Sequence, residues 1–210
     1  MSNKFFITVL VVIALVIGAF AITKKSKTVT SNVQPTNHIR GNTKGGVALL
    51  EYGDYQCPAC GQYHPIINQV MDKYGDKISF QFRNFPLTQI HKNAFLGARA
   101  AEAADKQGKF WEMNNMLYDN QQVWSESSNP TTILEGYAKQ LGLNEARFKT
   151  DSASEAVNDI INADLKAAQA LKLEATPSFF INGKKIDPLP RSAEEFYKLI
   201  DKALADKAKS

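Results

Sequence analysis

Cys57 and Cys60 stand three residues apart and are the only cysteines in 210 residues. Their neighbourhood reads Tyr55-Gln56-Cys57-Pro58-Ala59-Cys60-Gly61-Gln62. This spacing suits dithiol–disulfide exchange, because residues i and i+3 meet on one helix face and Cys60 can reach back to Cys57. A thiol at a helix start faces unpaired backbone N–H groups and the positive end of the dipole, which stabilise its thiolate. Cysteines so placed have pKa values of roughly 3.5–7.5. Cys57 is expected to be an exposed nucleophile and Cys60 the more buried, resolving thiol. A zinc site would need two further ligands. No second cysteine pair exists, and His38, His64 and His91 lack zinc-finger spacing, so no metal is expected. An inert disulfide would close so short a loop that it would stabilise little.

The elements on either side place the pair at a strand-to-helix junction. Val47-Ala48-Leu49-Leu50-Glu51-Tyr52 reads as a buried strand. After the cysteines, His64, Ile67 and Met71 fall on one helical row and Ile66, Val70 and Tyr74 on the next, with Gly75 as the stop. Pro58 then sits near the first helical position, where a missing N–H costs nothing. From Lys77 to Asn84, Ile78, Phe80 and Phe82 alternate with Ser79, Gln81 and Arg83, a period-2 strand. Two strands joined by one helix imply a parallel βαβ unit. Helical stretches are expected over 91–107, 110–120, 131–142, 144–150 and 152–173, with Trp124 in a loop. Ser178–Ile181 and Lys184–Ile186 form a hairpin about the Asn182-Gly183 turn. Ser192-Ala193-Glu194-Glu195 is a capping box that opens a final amphipathic helix.

Charge excludes one class of function. Of 25 basic residues, Lys4, Lys24, Lys25 and Lys27 flank the N-terminal apolar run; the remaining 21 balance 21 acidic residues, which leaves no support for nucleic-acid binding. Phe5–Ile22 is uncharged over 18 residues, about 27 Å as a helix against a ~30 Å hydrocarbon core. It reads as a signal-anchor over residues 1–23, or as a cleaved signal peptide with Ala19-Phe20-Ala21 at the cleavage site. Both readings export the remainder of the chain, and a disulfide-forming dithiol works outside the cytoplasm. Residues 24–43 are polar and read as a flexible linker.

In order and spacing, four segments together resemble the DsbA-like thiol:disulfide oxidoreductases of the thioredoxin superfamily. They are Glu51-Tyr-Gly-Asp-Tyr-Gln-Cys57-Pro-Ala-Cys60, Arg83-Asn-Phe-Pro-Leu87, Gly108-Lys-Phe-Trp-Glu112 and Ala175-Thr-Pro-Ser-Phe-Phe-Ile-Asn-Gly183. The resemblance covers about residues 44–208. It implies an α/β thioredoxin fold (βαβ–ββα) with a helical insertion about 88–173, following the N-terminal membrane-spanning or signal helix. It implies that Cys57 attacks, that Cys60 resolves and that Pro177 is a cis-proline facing the disulfide. Thr176 would pair its backbone with a bound peptide, and Glu51 would be a buried acid assisting proton transfer at Cys60, a role Asp54 could share. The implied partners are exported proteins with free thiols and a membrane protein that reoxidises or reduces the pair, with no organic or metal cofactor. One departure concerns Pro58-Ala59. Strongly oxidising members carry histidine between the cysteines, so alanine at 59 implies a less depressed Cys57 pKa and a milder oxidant.

Overall fold

The computed structural model describes residues 33–209. The expected signal-anchor or signal peptide at 1–23, and the linker up to residue 32, lie outside them. Among the described residues no helix is long and apolar enough to cross a membrane.

The strands are β1 (His38–Gly41), β2 (Ala48–Gly53), β3 (Ser79–Asn84), β4 (Ser178–Ile181) and β5 (Lys184–Lys185). They form one sheet in the order β1-β3-β2-β4-β5. β2 and β3 run parallel, as a βαβ unit requires, and the other pairings are antiparallel. Between β2 and β3 lies α1 (Pro58–Tyr74). Six helices separate β3 from β4: α2 (Ala94–Asp105), α3 (Phe110–Asp119), α4 (Gln121–Ser125), α5 (Pro130–Gln140), α6 (Glu145–Ser152) and α7 (Glu155–Ala170). This is the expected helical insertion in a thioredoxin-like arrangement. α8 (Ala193–Lys207) closes the domain.

Period-2 alternation along β2 divides the core into two layers. Leu49 and Glu51 face α1 and α8, where Phe179 packs on Tyr63 and Phe196 at ring separations of 5.5 and 5.2 Å. Leu50 and Tyr52 face the other way, where Tyr52, Phe85, Ala168, Leu173 and Phe180 form a second cluster. Local signals act as chemistry demands. Asn182 and Gly183 both take positive φ, 48° and 77°, as the two-residue turn requires. Ser192 accepts from the Glu195 N–H, while the Glu195 carboxylate reaches back to the Arg191 N–H rather than to Ser192. Gly75 ends α1 in right-handed backbone (φ −60°), so its role is space: a Cβ there would lie 2.6 Å from the Met71 carbonyl oxygen.

Two expectations need correction. The polar segment taken as a flexible linker to residue 43 contains β1, which pairs with β3 from His38↔Phe82 to Gly41↔Ser79. A four-residue edge strand without apolar alternation leaves no period-2 signal. Trp124, expected in a loop, lies on α4 and is fully buried, because its indole N–H finds the Leu117 carbonyl at 2.8 Å.

β1 is held by polar groups reaching far along the chain. Asp164 on α7 is fully buried and accepts from the Thr36 N–H and hydroxyl, both at 2.7 Å, and from the Asn84 N–H at 2.8 Å. Asn84 also donates to the buried Glu102 at 2.6 Å, and Glu102 pairs with His38 at 2.8 Å. Burial pulls the His38 pKa down, but hydrogen bonds and charge from Asp105 and Glu102 outweigh it and leave it raised to about 9. His38 also stacks on Phe110 at 3.5 Å. Replacing Asp164 by alanine strands several buried donors at once. The expected loss is roughly 3 kcal/mol or more in denaturant unfolding, with β1 amides exchanging hydrogen faster than those of β2.

Candidate functional site

Cys57 is the N-cap of α1, with extended backbone (φ −69°, ψ 120°), and Pro58 follows at the first helical position. The sulfur therefore sits over the unpaired amides of the first turn. The Cys57 pKa is lowered from 9.0 to about 5. The largest cause is a hydrogen bond from the Cys60 thiol; Thr176 and the backbone of Cys60 and Ala59 add to it, and partial burial opposes. Ala59 acts here through its amide rather than its side chain. Cys60 is fully buried. Burial first, then its bond to Cys57 and the Glu51 and Cys57 charges, push its pKa well up, while the Asp54 N–H, 3.5 Å from its sulfur, pulls the other way. Two thiols of one sequence motif thus hold opposite protonation preferences, which is what stepwise dithiol–disulfide exchange needs.

The expectation of an exposed nucleophile is corrected in degree: Cys57 is only 7% exposed, although still the more accessible of the pair. Its cover is the loop before β4. Thr176-Pro177 is a cis peptide there, and the Thr176 carbonyl lies 3.4 Å from the Cys57 sulfur. The Thr176 hydroxyl is buried, meets no other partner, and acts as a donor toward the Cys57 sulfur.

Glu51 is buried at 4% exposure on the sheet face under α1. Burial raises its carboxyl pKa from 4.5 to about 8, Arg40 partly counters this, and the Cys57 charge adds to it. Asp54 is engaged otherwise. It accepts from the N–H groups of Gln56 (2.8 Å) and Leu87 (2.9 Å) and pairs with His91 at 2.7 Å. Its own carbonyl accepts from the Cys57 N–H at 3.0 Å. Asp54 therefore ties the cysteine turn to the 85–91 loop.

Sequence reading missed four contributors. Gln121 on α4 donates to the carbonyls of Tyr55 (2.8 Å) and Cys57 (2.9 Å). Asn93 bonds the Gln56 side chain through its N–H at 2.6 Å. Arg40 comes from the unforeseen β1, and Tyr118 from α3 presents a buried, unpartnered hydroxyl whose pKa is raised by burial and then by the Cys60 charge. None of these four left a local signal; Asp54, already a candidate, did, its position two before Gln56 fitting a turn that bonds its own backbone. A groove of about 620 Å³ runs between β5, the 186–190 loop and α8, and none of Cys57, Cys60, Glu51, Thr176 and Pro177 lines it.

The family described as thioredoxin matches residues 33–202. Oxidised BdbD from Bacillus subtilis is 24% identical with a TM-score of 0.70, over 82% of this chain and 96% of that one. Alpha-DsbA1 from Wolbachia pipientis is 23% identical with a TM-score of 0.72, over 83% and 94%. Both share the fold. Among curated sequences, Na(+)/H(+) antiporter NhaA 1 of Mycobacterium sp. (strain KMS) is 37% identical over 153 residues, which is 71% of this chain and 24% of that protein. The corresponding antiporter of Herminiimonas arsenicoxydans is 33% identical, over 71% and 23%. The chain spans about a quarter of the length of these relatives. With the thiol pair at a helix start beneath a cis-proline loop, and a family match running from before β1 into α8, the chain belongs to the thioredoxin family.

Proposed function

We propose that this protein is an extracytoplasmic thiol:disulfide oxidoreductase that forms disulfides in exported proteins through Cys57 and Cys60. The observation that carries the reading is the opposed tuning of the two sulfurs, Cys57 drawn down to about 5 and Cys60 pushed up. A stabilised Cys57 thiolate favours the reduced form, and a couple whose reduced form is favoured oxidises others. The apolar run Phe5–Ile22 supports an exported domain, as a single-pass anchor or after cleavage.

In the forward reaction a substrate thiolate attacks the Cys57 sulfur of the Cys57–Cys60 disulfide. The bond between the cysteines breaks, and Cys60 leaves as a thiolate that takes a proton from Glu51. A second substrate thiolate attacks the substrate sulfur of the mixed disulfide and expels Cys57 as its stabilised thiolate. The substrate has then lost two electrons to the pair, and a membrane partner removes them to restore the disulfide. Pro177 and Thr176 hold the substrate as an extended segment beside Cys57. Pro58 fixes the helix start, and Ala59, lacking a side-chain donor, makes the site a milder oxidant than its histidine-bearing relatives.

Replacing Cys60 with alanine should accumulate mixed disulfides with client proteins at Cys57. Equal accumulation with Cys57→Ala would reverse the assignment of nucleophile. The ultraviolet absorbance of the Cys57 thiolate in the dithiol protein should titrate with a midpoint near pH 5; a midpoint near the ordinary value of 9 would remove the basis for an oxidant. Because the folded value is the lower one, the thiolate's contribution to the stability of the dithiol form is complete above about pH 9 and is lost as pH falls through about 5. Mass-tag thiol trapping in intact cells should find the pair mostly oxidised, whereas a mostly reduced pair would make the protein a reductase or isomerase.

A further inference from the structure

β1 ends with Arg40 and Gly41, and its register places Arg40 opposite Phe80 on β3. Phe80 in turn lies opposite Leu49 on β2, and Glu51 opposite Phe82. Residues directly opposite share a sheet face, as do residues two apart on one strand. Arg40, Phe80, Phe82, Leu49 and Glu51 therefore all point to the side covered by α1. The guanidinium lies over the rings of Phe80 (5.2 Å) and Trp111 (4.8 Å), and one of its nitrogens bonds the Asn68 side-chain oxygen on α1 at 2.8 Å. Its Nε is buried and without a partner. Asn68 bonds His64 at 3.1 Å, and His64 stacks on Tyr118 at 5.0 Å. A cation is thus fixed beneath the redox helix by groups from β1, β3, α1 and α3.

We propose that Arg40 is a positioning residue of the redox centre: held on the same sheet face as Glu51, it keeps a positive charge near the carboxyl that exchanges the Cys60 proton, and so makes docking of β1 a condition of fast exchange. This rests on the role proposed for Glu51. The other charge acting on Glu51 is that of Cys57, the N-cap of α1; Glu51 in turn acts on Cys60 of α1, Tyr118 of α3 and Tyr55 of the preceding turn, all of them acids. Asp72 on α1 acts on Arg40 from its other side. Among these groups the guanidinium alone favours the carboxylate over the carboxylic acid.

The step that reads this is attack of the Cys60 thiol on a Cys57–glutathione mixed disulfide. The Cys60 proton passes to ionised Glu51, a Cys57–Cys60 bond forms, and glutathione leaves as its thiolate. Full-length protein carrying Arg40→Met, Arg40→Gln or Arg40→Lys is loaded with glutathione, and the rate of glutathione release is followed against pH, each also in a Glu51→Gln background. Both uncharged variants should move the pH midpoint of release upward by about one unit, the low end for loss of a nearby opposite charge. Below the midpoint that shift is a roughly tenfold slower release. Arg40→Lys should restore the wild-type profile, and in Glu51→Gln protein the Arg40 changes should have no further effect. Equal slowing by the Arg40 variants with and without Glu51, at an unchanged midpoint, would make Arg40 purely structural and overturn the proposal. A wild-type profile for Glu51→Gln alone would overturn the role of Glu51, and this inference with it.

Discussion

One negative charge shared unequally between two sulfurs is the constraint on which the rest of the molecule depends. Cys57 can hold it because the first-turn amides of α1 and the Cys60 thiol all point protons at its sulfur. Cys60 cannot, because it is sealed from water and already lies beside that charge. Neither tuning exists without the other: the Cys60 thiol lowers one pKa by donating and raises its own in doing so. The surrounding bonds keep this asymmetry from relaxing. Asp54 and Gln121 hold the backbone of the turn, and the Thr176 carbonyl closes the open side.

The parts of the design that depend on local chemistry were readable from residue order. A proline after the first cysteine, an Asn-Gly turn and a Ser-x-x-Glu cap each act over a few bonds, so their neighbours reveal them. β2 and β3 were equally plain, since buried faces impose alternation. What stayed hidden depends on partners distant in the chain. β1 reads as polar tether because its anchors are Asp164 and Glu102, more than 60 residues away, and because it lies at the sheet edge with one side unpaired. Arg40 was hidden for the same reason. Trp124 misled because an indole in a stretch without clear periodicity looks exposed, until Leu117 is known to offer a carbonyl.

The buried polar chain Thr36–Asp164–Asn84–Glu102–His38 shows how the insertion is joined to the sheet. Two carboxylates are withdrawn from water between α2, α7 and β3, a placement tolerated only because donors converge on them. Asn84 is the hinge of that arrangement, with its amide hydrogens divided between the two acids. Apolar packing alone would let the helical insertion slide over the sheet. A polar chain with fixed geometry sets one position, and therefore sets where α4, with Gln121, meets the cysteine turn.

The distance along the chain between Thr36 and Asp164 has a consequence for synthesis. A chain is made from its N-terminus, so the cysteines emerge well before the residues that complete their surroundings. Until Asp164 is made, Thr36 at the entry to β1 lacks its buried acceptor; until Thr176-Pro177 is made, the Cys57 sulfur has no lid. A half-made chain therefore carries the cysteine pair without its lid and with its edge strand not yet fully anchored, and the complete surroundings exist only when the last strands arrive. Reactivity is in this sense a property of the finished molecule, withheld while its own chain is still being threaded out.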